Sequence, residues 1–251
     1  MDNPVFARIK PKKETILKSK AIPCLALITL TVVAACAQPQ VEGDLFCPEN
    51  HFEVRIINDG VAVEITGYVG GRTDVRIPPY ILGLPVTVIG GYAFRDGEYM
   101  KVAEGMYIWF PGHQITSVTI PNSVTHIGFG AFMSNQLTSV IIGNNIINIG
   151  VGAFAFNKLT NITIPNGVTD IGASAFMRNQ FISVTIPNSV TDIGDWAFSD
   201  NQLTSIVIGN SVTHIGMWAF ASNYLTEVAI PNNNAYVHEE AFDPGVTIIR
   251  N

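Results

Sequence analysis

The sequence predicts a repeat solenoid that is mainly β. Three observations carry this prediction: a 22-residue phrase recurs from residue 115 onward, its copies stay apolar at the same positions, and turn-forming residues sit at fixed offsets between them. The full copies are ITSVTIPNSVTHIGFGAFMSNQ (115–136), LTSVIIGNNIINIGVGAFAFNK (137–158), LTNITIPNGVTDIGASAFMRNQ (159–180), FISVTIPNSVTDIGDWAFSDNQ (181–202) and LTSIVIGNSVTHIGMWAFASNY (203–224). An eroded copy, LTEVAIPNNNAYVHEEAFDPGV, follows at 225–246.

Each coil opens with an extended segment. In the second copy, Val140 and Ile142 share one face of that segment, while Ser139 and Ile141 point the other way. Pro121, Pro165, Pro187 and Pro231 follow the strand at once, each with Asn beside it. Proline offers no ladder donor and Asn favours turns, so the chain stops and turns there. Gly143 and Gly209 replace proline in two copies. A second apolar pair, Val124 and Ile127 in the first copy, leads to Gly128. Its counterparts are Gly150, Gly172, Gly194 and Gly216, which implies either positive φ or a close backbone approach. An Ala-Phe pair closes every coil, at Phe132, Phe154, Phe176, Phe198, Phe220 and Phe242. Three residues on stand Asn135, Asn157, Asn179, Asn201 and Asn223, expected to stack as a ladder that bonds turn backbone. One copy cannot fold alone, because ordering its backbone costs more than its few apolar side chains return. Stacking makes up the difference, with parallel strands about 4.8 Å apart.

The ends of such a stack need caps. FEVRIINDGVAVEITGYVG (52–70) reads as two alternating strands around Asn58-Asp59-Gly60, a hairpin signal suited to an N-terminal cap. VRIPPYILGLPVTVIGGYAF (75–94) reads as a first repeat expanded by five residues between Ile77-Pro78 and Ala93-Phe94. Val246, Ile248 and Ile249 are expected to form a closing strand.

The spacing Leu137, Val140, Ile142 resembles the L-x-x-L-x-L core of leucine-rich repeats. The whole phrase, LTSVTIPxSVTxIGxxAF, resembles the signature of the BspA-type, or treponemal, leucine-rich repeat family. It recurs over 115–224 and is recognisable over 73–246. The resemblance implies a right-handed leucine-rich-repeat-like superhelix of 22-residue coils with short parallel strands and turns, and no enzymatic activity. Family members are often surface proteins of host-associated bacteria, some of them adhesins. The resemblance supplies no binding residues to carry onto this chain.

Residues 1–20 hold six basic side chains, from Arg8 to Lys20, against Asp2 and Glu14. The apolar run AIPCLALITLTVVAA (21–35) follows, short for a membrane span and suited to a signal-peptide core. Val33-Ala34-Ala35-Cys36 resembles a bacterial lipobox, so Cys36 is expected to carry lipid after cleavage. Cleavage nearby with Cys36 unmodified is the alternative. Gln38, in place of Asp, points to an outer-membrane lipoprotein, and the expected location is the cell envelope and cell surface. The expected parts are a lipoprotein signal peptide (1–35), a polar tether (36–51), a capping hairpin with expanded repeat and insertion (52–114), the solenoid (115–242) and a C-terminal cap strand (243–251).

Composition excludes several functions. Cleavage removes six basic and two acidic residues, taking the formal charge from −6 to −10. The repeats from 115 on hold only Lys158, Arg178 and Arg250 as cations, so there is no basic face for nucleic acid. Beyond Cys24 and Cys36 only Cys47 remains, which leaves no internal disulfide in the mature chain. No G-x-S-x-G, P-loop, H-E-x-x-H or paired-Cys motif occurs. Neither an enzyme nor a cofactor is called for.

Three features are candidates for recognition. One column runs His126, Asn148, Asp170, Asp192, His214, Tyr236. Two carboxylates and one imidazole are too few for calcium, so no metal site is assigned there. A second column, just before Ala-Phe, reads Tyr92, Gly130, Gly152, Ser174, Trp196, Trp218. Stacked Trp196 and Trp218 form either a ligand platform or edge packing for the last coils. The third feature is an insertion. Twenty residues separate Phe94 from Ile115, where four separate Phe132 from Leu137. It carries Tyr107, Trp109 and Phe110, and reads as a recognition loop, a covering flap or a degenerate coil. The functional expectation is an envelope lipoprotein whose solenoid is a protein-interaction module, adhesin-like, with a host or bacterial protein as partner. An envelope scaffold and a carbohydrate-binding, glycan-directed module are the alternatives, and membrane contact is through the lipid anchor only.

Overall fold

A computed structural model describes residues 46–95 and 114–250, together with the backbone of 98–103 and 106–110. Alternating residues on either side of Asn58-Asp59-Gly60 make a hairpin, in which β1 (Phe52–Ile57) pairs antiparallel with β2 (Ala62–Tyr68). Asn58 and Asp59 both take positive φ in the turn. The expanded first coil holds β3 (Asp74–Arg76), β4 (Tyr80–Ile81) and β5 (Leu84–Ile89). Its five extra residues are absorbed by a tight antiparallel β4–β5 pair turning at Leu82 and Gly83. In the insertion, β6 (Glu98–Ala103) pairs antiparallel with β7 (Met106–Phe110).

The repeats then run as coils of two short strands each. They are β8 (Ser117–Thr119) with β9 (His126–Ile127), β10 (Ser139–Ile141) with β11 (Asn148–Ile149), and β12 (Asp170–Ile171) by itself in the third copy. Next come β13 (Ser183–Thr185) with β14 (Asp192–Ile193), and β15 (Ser205–Val207) with β16 (His214–Ile215). The last are β17 (Glu227–Ile230) with β18 (Tyr236–Val237), and β19 (Thr247–Arg250), which closes the stack by pairing in parallel with β17. The molecule is a mainly β solenoid of about eight turns at a spacing near 22 residues.

The strand ladder differs from expectation in one respect. The first-strand column was expected to run through every coil, yet it forms only in pieces: β10-β8-β3, β13-β15 and β17-β19. One break falls at Asn161–Thr163, which forms no strand, and the other falls between β15 and β17, which do not pair. Asn161 occupies the place of a Ser in the other full copies, and Asn disfavours extended pleated backbone. The continuous ladder runs instead through the second apolar pair, in the order β1-β2-β5-β9-β11-β12-β14-β16-β18. Its in-register partners from β9 onward are the variable column, with Asp170 opposite Asp192 and Asp192 opposite His214.

Inside, the phenylalanines pile into one spine. Centroids from Phe94 through Phe132, Phe154, Phe176, Phe198 and Phe220 to Phe242 lie 4.8–5.5 Å apart, with ring planes within 19° of parallel. That interval matches the spacing of strands in a sheet, so ring stacking and coil stacking share one period. Tyr68 of the N-terminal hairpin caps the spine by stacking on Phe94 at 5.4 Å.

Beside the spine runs the asparagine ladder. Asn157 Nδ2 donates to the carbonyls of Phe132, Phe154 and Ala155, and its Oδ1 accepts from the Leu137 N–H. Asn179, Asn201 and Asn223 repeat the pattern. Each amide therefore closes its own coil and ties it to the coil before.

The glycine column resolves in favour of close approach. A Cβ on Gly150 would lie 2.6 Å from the Ile127 carbonyl oxygen, and none of Gly128, Gly150, Gly172, Gly194 or Gly216 has positive φ. The left-handed backbone falls two residues later.

The folded part also begins before Phe52, where the tether was expected to end. Cys47 is 2% exposed, and its N–H donates to the Arg76 carbonyl at 2.8 Å. Its thiol belongs to the hydrophobic core, so the last residues of the expected tether are packed. Residues 1–45, with Cys36, lie outside the described part.

Candidate functional site

The position before Ala-Phe takes φ between 53° and 63° in every full coil: Tyr92, Gly130, Gly152, Ser174, Trp196 and Trp218. Side chains there pay about 1–2 kcal/mol for left-handed backbone, and glycine pays none. Two coils use glycine. The last two full coils place tryptophan on the costly backbone instead. The indole centroids of Trp196 and Trp218 are 5.2 Å apart with planes tilted by 46°, and Trp218 is 38% exposed.

The pair lines a groove of about 950 Å³ at the C-terminal end of the stack. Asp200, Glu239, Glu240 and Asp243 line it too, with Arg250 as a cation. The chain folds this way because the repeats erode here. Glu239 and Glu240 occupy the two positions after the turn, which in the preceding coil hold Met217 and Trp218.

Some of these charges are already engaged. Arg178 Nε donates to Asp200 Oδ2 at 3.2 Å, and its guanidinium lies over the Phe156 ring. Asp243 is a cap. In earlier coils the N–H of residues such as Arg178 and Asp200 donates to a backbone carbonyl of the next coil. At the end of the stack the Asp243 carboxylate accepts instead, from Ser222 N at 2.8 Å and Asn223 N at 2.9 Å. Arg250 Nη1 donates to the Asn233 and Ala235 carbonyls. Glu239 and Glu240 form no ion pair among the described residues.

Of the residues singled out from sequence, Trp196 and Trp218 come together in this groove. Tyr107, Trp109 and Phe110 lie on β7, whose side chains fall outside the described part. The Asp170 and Asp192 carboxylates accept from the neighbouring hydroxyls of Thr169 and Thr191. His214 stacks on Tyr236 at 4.9 Å. No group of three or more His, Cys, Asp or Glu among the described residues is placed to hold a metal ion. Sequence reasoning missed Asp200, Asp243, Glu239 and Glu240. The only signal was their departure from the repeat consensus, and which erosions face one groove depends on how the coils stack.

This repeat geometry agrees with comparison to known proteins. The family model described as BspA type leucine rich repeat region matches residues 106–224 and 148–248, in six copies. The chain belongs to the BspA-type leucine-rich repeat family. Among solved structures it is similar to a leucine-rich repeat protein of T. pallidum, with 21% identity and a TM-score of 0.54 over 72% of this chain and 90% of that one. It is also similar to a leucine-rich repeat protein of Bacteroides ovatus, with 20% identity and a TM-score of 0.49 over 83% of this chain and 67% of that one. Identities this low speak to fold alone. No curated protein matches the sequence. Leucine-rich repeat proteins are generally protein-interaction modules and generally non-catalytic. In this BspA-type chain, the groove sets Trp196 and Trp218, at the position that holds Gly130, Gly152 and Ser174 in the first three full coils, beside Glu239 and Glu240.

Proposed function

We propose that the chain is a cell-envelope lipoprotein, anchored through Cys36, whose solenoid is an adhesin-like protein-interaction module exposed at the cell surface. The observation that carries the reading is the division of labour in each coil. The apolar residues that recur in every coil turn inward, while Ile141 and Val207, on outward strand positions, are each 61% exposed. A stack built this way offers a long, regular face for docking. The basic n-region, apolar run and lipobox-like Val33-Ala34-Ala35-Cys36 support the anchor. Protease shaving of intact cells tests the orientation, and we expect loss of the solenoid while periplasmic markers survive. Full protection of the solenoid would sink the surface reading and leave the envelope scaffold. Cys36→Ala is expected to move the protein from the membrane to the soluble fraction.

A further inference from the structure

We propose that the C-terminal groove is the recognition site of this module, and that it takes a cationic side chain, Lys or Arg, from a basic segment of a partner protein. The inference rests on the interaction-module reading and names the chemistry of its partner. Trp196 and Trp218 supply two indole faces 5.2 Å apart, and Trp218 is open to solvent. Tryptophan is the strongest aromatic acceptor for a cation over its ring. Glu239 and Glu240 line the same groove without an ion-pair partner among the described residues. The lining holds four carboxylates against one guanidinium, and Arg250 is turned to backbone carbonyls. An unpaired pair of carboxylates beside an aromatic face complements a positive charge on an apolar stem. A neutral sugar would use the indoles but would leave the glutamates without a counter-charge.

The test uses the full chain with a short lysine-rich peptide as probe. The same peptide with acetylated lysines and a neutral oligosaccharide are run beside it. Binding is read by tryptophan fluorescence at low and high salt. We expect saturable binding of the cationic peptide alone, weakened by salt, and reduced roughly tenfold or more by Trp218→Ala. Glu239→Gln with Glu240→Gln keeps the shape of the groove and should produce a similar loss, while the melting temperature stays near that of the parent chain. The proposal is overturned if the cationic peptide fails to bind, if the acetylated peptide or the sugar binds as well, or if the double glutamine variant binds unchanged. If that variant still attaches to a partner on whole cells, this inference fails while the interaction-module reading survives.

Discussion

The Asn157 side-chain amide donates to the Phe132 carbonyl of the preceding coil at 2.9 Å and to the Phe154 carbonyl of its own at 3.0 Å. One buried group thus joins two coils beside the aromatic spine. Its oxygen also accepts from the Leu137 N–H at 3.0 Å, which closes the coil on itself.

Removing that group leaves the buried Leu137 N–H without a partner, while the Phe132 and Phe154 carbonyls each keep one amide donor, from Asn135 and Asn179. We expect Asn157→Ala to cost about 1–3 kcal/mol in chemical denaturation, the penalty of one orphaned buried group. Asn157→Asp keeps the acceptor but sets a carboxylate against carbonyl oxygens. It should be at least as damaging at neutral pH and less so in acid. An Asn157→Ala chain as stable as the parent would refute the ladder.

The spine gives a graded prediction. Phe154 is fully buried between Phe132 and Phe176, whereas Phe242 ends the column and is only partly covered. Phe154→Ala should cost about 3–5 kcal/mol, with Phe242→Ala clearly less. Equal losses in a denaturant series would mean the rings do not act as one buried column.

Backbone at Trp218 offers an inverted result. Its φ of 53° suits glycine and strains a tryptophan or an alanine. Trp218→Gly is therefore expected to be more stable than Trp218→Ala by about 1 kcal/mol, the reverse of the usual order within regular structure. Thermal melts of the two variants decide it.

Burial raises the pKa of Tyr68 above the ordinary tyrosine value, the hydrogen bond with the Arg72 backbone opposing that rise. The folded state favours the neutral phenol. This stabilisation is complete below the unfolded value near 10 and disappears as pH rises through the folded value. We expect stability to fall above about pH 10 more steeply in the parent chain than in Tyr68→Phe. Parallel pH profiles would show that Tyr68 ionises as freely in the folded chain as in the unfolded one.

Much of the fold could be read from single residues. Phe94 to Phe242 keep one period, so they had to stack if the coils did, and the asparagines three residues on could only meet backbone. The β1–β2 hairpin was legible at Asn58-Asp59-Gly60. The break at Asn161–Thr163 was not, since Asn161 departs from the consensus by one residue whose cost depends on strands above and below it. Nor was the reason for Gly150 legible, because positive φ and close approach leave the same mark in a sequence.

The 22-residue period by itself determined that coils stack and which side chains face inward, because periodic burial admits no other register without exposing the phenylalanines. Tertiary structure alone decided that the ladder runs through the second apolar pair, and that Trp196, Trp218, Glu239 and Glu240 share one groove. Those relations join residues a coil or more apart, and their distances are set by the pitch and curvature of the stack, which no local stretch of sequence encodes.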